Sequence, residues 1–201
     1  MEMKLPTAEQ LSEIYKRDLS VSFPNSELKP LPEMQYEMEK GEYRPWCLFD
    51  GDEIVGEAFV WTHTPGYALF DYLCVTPARR NDGLGSLLIQ KLVEAERGNV
   101  VFGESEIPQY APDPAMAERR LAFYRRNGAK QAGYDSCEFG VPYHTLYWSD
   151  APADDAAMRA AHAASYRSAF PEEVFKTSIL IPWDISMGIP TRTPWYGQEE
   201  L

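Results

Sequence analysis

Between Leu69 and Leu92 the chain reads LFDYLCV, then TPARRNDG, then LGSLLIQKL. An apolar run is followed by a charged, glycine-bearing turn and then by apolar residues at helical spacing, so a strand passes through a short loop into a helix. Any fold available to the sequence must accommodate this unit. Arg80, Gly83 and Gly85 stand at the junction. A helix N-terminus presents unpaired N–H groups and the positive end of a dipole. The two glycines lack a β-carbon, which lets the loop take unusual dihedrals and lets a ligand approach the amides. With the guanidinium of Arg80 added, the segment is built as an anion cradle.

Two nucleotide-binding patterns compete for such a turn. A dinucleotide fingerprint requires a third small residue where this chain has Leu88, although Glu104 stands near the place of a ribose-binding acid. A triphosphate-binding GxxxxGK[ST] is absent from the sequence.

The 201 residues are 44% hydrophobic and 25% charged, enough for one good core with an appendage. No stretch approaches the ~18 apolar residues of a membrane span, and MEMKLPTAEQ lacks the apolar centre of a signal peptide, so a cytoplasmic protein off the membrane is expected. Cys47, Cys74 and Cys137 are scattered and read as free buried thiols, with neither a disulfide framework nor a zinc site. His63, His144 and His162 lack metal-ligand spacing, and no metal is expected. With 31 acidic against 19 basic residues, the net charge of -12 disfavours nucleic acid and would attract cationic substrates.

Along the chain, Thr7-x-x-Gln10 reads as a capping box opening a helix over about 8 to 21, and Glu33 to Lys40 as a short second helix. Pro45 to Asp50 and Glu53 to Thr62 flank the hairpin signal Asp50-Gly51-Asp52, and Tyr67 to Val75 adds a third strand to an antiparallel meander. The helix after Gly83 stops at Arg97-Gly98, and Val100 to Glu106 forms the next strand. Asp113-Pro114 opens a helix that runs to Asn127, and strands at Lys130 to Tyr134 and Cys137 to Trp148 close the sheet. At Ser149 the composition changes. An alanine-rich helix is expected over Ala156 to Phe170, then an irregular remainder that docks on the domain or on a second copy as a homodimer. The expected organisation is therefore a domain over 1–149 and a tail over 150–201 of unassigned role.

Arg80-x-x-Gly83-x-Gly85 after the strand, together with FYRRNGAK at Phe123 to Lys130, resembles the GNAT superfamily of acyl-CoA-dependent N-acyltransferases. The resemblance covers about 46 to 149 well, the first 45 residues loosely and the last 50 not at all. It implies a mixed α/β fold: a mostly antiparallel central sheet flanked by helices, with acetyl-CoA where the fourth and fifth strands splay. It also implies cofactor contacts from Arg80, Asn81, Gly83, Leu84, Gly85, Ser86 and Asn127, and an oxyanion met by the main chain at Cys74 or Val75. The family often has Gly or a basic residue where Asn81 and Asp82 stand, and an acid beside a pyrophosphate must point away.

The acetyl transfer implied by the resemblance needs a neutral amine, a stabilised oxyanion and a proton for the departing thiolate. The resemblance gives that proton to Tyr124. Glu104 and Glu106 alternate on one strand and leave the same face, and Glu104 is the first choice of base. Glu27, in the loop SFPNSEL that lines the acceptor site in this family, is a candidate for holding the amine. Cys74 as a nucleophile has no partnering His. The expected activity is acetyl transfer from acetyl-CoA to a primary amine, small molecule or peptide, by direct attack in a ternary complex. A CoA-binding module without turnover is the alternative, and a dinucleotide-dependent oxidoreductase comes third.

Overall fold

The computed structural model describes residues 1–196, which divide into two compact units. The first comprises Met1–Thr62, Phe70–Arg97 and the segment from Pro194; the second comprises His63–Leu69 and Gly98–Thr193.

In the first unit, strands β1 (Glu2–Lys4), β2 (Tyr43–Asp50), β3 (Glu53–Trp61) and, from Phe70 onward, β4 (Tyr67–Val75) lie in that order. β1 and β2 pair antiparallel, as do β2 and β3, with Asp50 opposite Glu53 across the turn at Gly51 (φ 63°). The hairpin signal is thereby met. Helix α1 (Ala8–Ile14) opens on the capping box expected at Thr7 and Gln10. The chain continues through a π-helical turn, Tyr15–Leu19, and a short helical turn, Ser20–Ser22. That wider turn, unforeseen from the periodicity, leaves Asp18 fully buried. Helix α2 (Leu31–Lys40) ends on Gly41 at φ 75°, a left-handed cap. Helix α3 (Leu84–Ala95) packs Leu88 so close to Gly56 of β3 that an added β-carbon there would meet the leucine at 2.7 Å.

In the second unit, the strand order is β5 (Val100–Glu106), β7 (Val141–Trp148), β6 (Lys130–Glu138), β8 (Ile179–Trp183). Each neighbouring pair is antiparallel. Helix α4 (Pro114–Arg126) starts as the sequence proposes: the Asp113 carboxylate accepts from the Met116 N–H, and Pro114 occupies the first turn. The β6–β7 turn falls at Phe139 (φ 50°) and Gly140 (φ 81°), later than expected. Asp135 and Ser136 stay in the ladder opposite His144 and Tyr143, the irregularity being absorbed between Gln131 and Asp135.

The region after Ser149 is more regular than its composition suggests. Helix α5 (Asp155–Ala169) is capped by Asp154 and is followed by helix α6 (Glu172–Ser178) and by β8. Five residues containing a proline carry no readable period, and β8 exists because β6 offers it an edge. It pairs Ile179 with Glu138 and Leu180 with Cys137, and Trp183 enters a cluster with Ile107 and Cys137. No helix of the described residues is long and apolar enough to cross a membrane.

Candidate active site

The strand, loop and helix form as the sequence proposes. Gly83 takes φ 78° at the start of α3, and Asn81, the other left-handed residue of the loop, takes φ 73°. The Gly83 carbonyl accepts from the Ser86 and Leu87 N–H groups, which closes the first helical turn behind Leu84 and Gly85. Arg80 donates to the Val75 carbonyl at 3.5 Å and to Ser22 Oγ at 3.0 Å, so its fork is held at the end of β4. Asp82, the acid that departs from the family pattern, is taken by Arg79 at 3.2 Å, and Arg79 also reaches Asp50.

Behind the loop lies a buried polar group that the sequence reading missed. Glu57 is wholly buried in β3 and accepts a hydrogen bond from the Cys74 thiol at 2.9 Å. Burial pushes its carboxyl up to about 8; the Cys74 hydrogen bond pulls it down and Asp18 pushes it further up. Arg17 pairs with Asp18 and donates to the Ile54 carbonyl and to Thr76 Oγ1, which ties the π-helical turn to β3 and the end of β4. The signal was available: a carboxylate in the middle of the apolar run EIVGEAFVW. Cys74 itself is no thiolate, since burial first and Glu57 next drive its ionisation well upward.

The loop that carries Glu27 is anchored at two depths. Tyr72 of β4 donates to the Glu27 carbonyl at 2.7 Å and accepts from the Lys29 N–H at 2.8 Å. Lys29 is fully buried; its ammonium lies 2.7 Å from Glu37 and 3.9 Å from Asp71, over the rings of Tyr43 and Trp61 at 4.4 and 4.0 Å. Such a lysine, in a loop of turn-forming residues, gives no periodic signal. The Trp195 N–H donates to the Ser26 carbonyl at 2.7 Å, which ties Trp195 to this loop.

In the second unit, Tyr124 is buried on α4 between the rings of Phe123 and Trp148, and burial raises its ionisation, which keeps the phenol protonated. Asn127 caps α4: its amide donates to the Phe123 carbonyl, and its own carbonyl accepts from Trp148 Nε1. The two candidate bases have different surroundings. Glu106 pairs with Arg120 at 2.8 Å. Glu104 Oε1 accepts from the Tyr166 hydroxyl at 2.8 Å and lies 2.6 Å from His162 Nε2, both on α5. Beside it Glu138 is fully buried, its carboxyl pushed well above the carboxylate range by burial and then by Glu104. His162, which lacks metal-ligand spacing in the sequence, is part of this group.

Residues 41–128 match the family model described as acetyltransferase (GNAT) domain. No curated protein matches the sequence. Among solved structures, a GNAT-family protein from Bacteroides thetaiotaomicron is 21% identical over 81% of this chain and 94% of its own, with a TM-score of 0.66. The ribosomal-protein-S18-alanine N-acetyltransferase from Escherichia coli is 15% identical over 76% of this chain and 96% of its own, with a TM-score of 0.57. The spermidine N-acetyltransferase from Vibrio cholerae, solved with CoA and spermine, is 11% identical over 73% and 93%, with a TM-score of 0.56. The fold is thus the mixed α/β fold of these proteins.

Proposed function

We propose that the protein, whose residues 41–128 match the model of a GNAT acetyltransferase domain, moves an acetyl group from acetyl-CoA to a cationic primary amine by direct attack. The observation that carries the reading is the loop from Arg80 to Ser86. Its left-handed Gly83 opens α3, Arg80 is fixed at the end of β4, and the adjacent acid is drawn off by Arg79. This arrangement suits a pyrophosphate, with Asn81, Leu84, Gly85 and Ser86 around it and Asn127 as a further contact. Cys74 or Val75 meets the oxyanion through the main chain. Tyr124, held protonated by burial, returns a proton to the departing thiolate.

The amine must lose its proton before attack, and Glu104 or Glu106 takes it through water. The surroundings favour Glu106, because Glu104 Oε1 is already engaged by Tyr166 and His162, whereas the exposed Arg120 can swing from Glu106. Glu27 and the net charge of -12 favour a cationic acceptor. The structural neighbours whose names state an acceptor include enzymes acting on spermidine and on aminoglycosides, both cationic. Three free buried thiols fit a reducing, cytoplasmic setting.

The test is thiol release from acetyl-CoA with polyamines, aminoglycosides, lysine peptides and acidic amino acids at low and high salt. Turnover with a cationic amine, rising with pH and falling in kcat/KM with salt, is the expected result. Preference for an acidic amine would defeat the acceptor class. Tight acetyl-CoA binding without release from any amine would favour a CoA-binding module instead.

A further inference from the structure

Glu104 of β5, Glu138 of β6 and His162 of α5 each offer one donor atom, and the three atoms lie within 4.8 Å of one another. They come from positions far apart in sequence, His162 standing 58 residues from Glu104. Around them the supporting contacts are in place. His162 Nδ1 lies 3.3 Å from the Tyr134 hydroxyl, which leaves Nε2 directed at the two carboxylates. Ser136 Oγ donates to Glu138 Oε2 at 3.2 Å, and the Tyr166 hydroxyl donates to Glu104 Oε1 at 2.8 Å. One atom is left over. Among the described residues, Glu138 Oε1 is buried without a hydrogen-bond partner, on a side chain with 0% exposure. A carboxylate oxygen in such a place is costly unless something positive meets it.

We infer that this cluster is a divalent-cation site, with His162 Nε2 and one oxygen each from Glu104 and Glu138 as protein ligands. One imidazole and two carboxylates form a mixed nitrogen and oxygen donor set that suits zinc or manganese. Donors grouped this closely converge on one ion with small side-chain rotations. Tyr134 and Ser136 would act as outer partners that fix the ring and the carboxylate, the usual arrangement behind metal-binding His and Glu. The ion would join α5 to β5 and β6, and so hold the region after Ser149 onto the strands of its own unit. Glu104 would then be spent as a ligand, with Glu106 left as the base for the amine. The site stands apart from the acetyl-transfer reading, because metal binding is measured without acetyl-CoA.

The full-length protein, stripped by a chelator and dialysed, is titrated calorimetrically with zinc chloride and separately with manganese chloride. Metal content is then measured after desalting. One ion per chain is expected, with a rise in Tm on loading. Glu138→Gln and His162→Gln should weaken binding roughly tenfold or more, while Glu13→Gln, an exposed acid elsewhere, should bind as the parent does. Acetyl-CoA affinity, measured on each variant, reports folding and should not change. If His162→Gln fails to fold, the parent titration and the isosteric Glu138→Gln decide. No uptake by the parent, or equal uptake by parent and Glu138→Gln, would overturn the site. So would a metal-free parent in which Glu138→Gln merely raises Tm, since water or a shared proton would then occupy the place of the ion.

Discussion

The Cys74 thiol on β4 donates across 2.9 Å to the carboxylate of Glu57 on β3, and the acceptor is wholly buried. A carboxylate there is tolerated because it holds its proton. Its ionisation is pushed from 4.5 to about 8, chiefly by burial.

That shift has a definite sign. Between pH 4.5 and about 8 the unfolded chain releases the Glu57 proton while the folded chain keeps it, so this group lowers stability as pH rises through the window. The slope is about 1.4 kcal/mol per pH unit at most. Glu57→Gln should therefore be near neutral at pH 4 and increasingly stabilising towards pH 8, read as the difference between urea unfolding curves of variant and parent. A constant difference across the range would show that Glu57 titrates normally.

Gly85→Glu should abolish acetyl-CoA binding and spare the fold, because bulk and negative charge would enter the first turn of α3 where the pyrophosphate is proposed to sit. Calorimetry with acetyl-CoA alongside circular dichroism checks both halves. An unchanged affinity in a folded variant would remove the cradle from the proposal.

Tyr124→Phe should leave acetyl-CoA affinity intact and lower kcat by roughly 10²-fold or more, the scale of a lost general acid. Steady-state kinetics with the best acceptor found is the measurement. Unchanged kcat would return Tyr124 to ring packing against Trp148.

Lys29→Met should destabilise the first unit by roughly 3–5 kcal/mol, since it strands the Glu37 carboxylate in a buried site. Hydrogen exchange should quicken in the Glu27 loop, because the buried ammonium that anchors residue 29 on Glu37 is gone. Exchange that quickens evenly over the whole chain would show that the lysine secures overall stability and leaves the loop no special dependence on it.

The parts legible in the sequence are those whose signals are local. The capping box at Thr7 and Gln10, the turn at Gly51, the left-handed Gly83 and the Asp113-Pro114 helix start each depend on residues within a few positions. What escaped depends on partners distant in the chain. β8 is a strand only opposite β6, and Glu104 meets His162 only after α5 has packed. The buried acid Asp18 was hidden for a related reason: a π-helical turn carries it inward, against the direction that the 3.6-residue period assigns, whereas Glu57 stood in view within an apolar run. The strand–loop–helix unit could thus be read before folding, whereas the partners that Glu104 and Asp18 meet could not.

β8 lies on the outer side of β6. Without it, the main-chain donors and acceptors of β6 from Asp135 to Glu138 would face solvent as an open rail, free to zip against any extended chain. Gly140 at the tip of the same hairpin is enclosed as well, for a β-carbon there would collide with the Arg192 backbone at 2.6 Å. The late segment therefore covers a strand edge that would otherwise be open to pairing. Shortening the chain before Ile179 would be felt first as stickiness, a protein lost to precipitates and fibres.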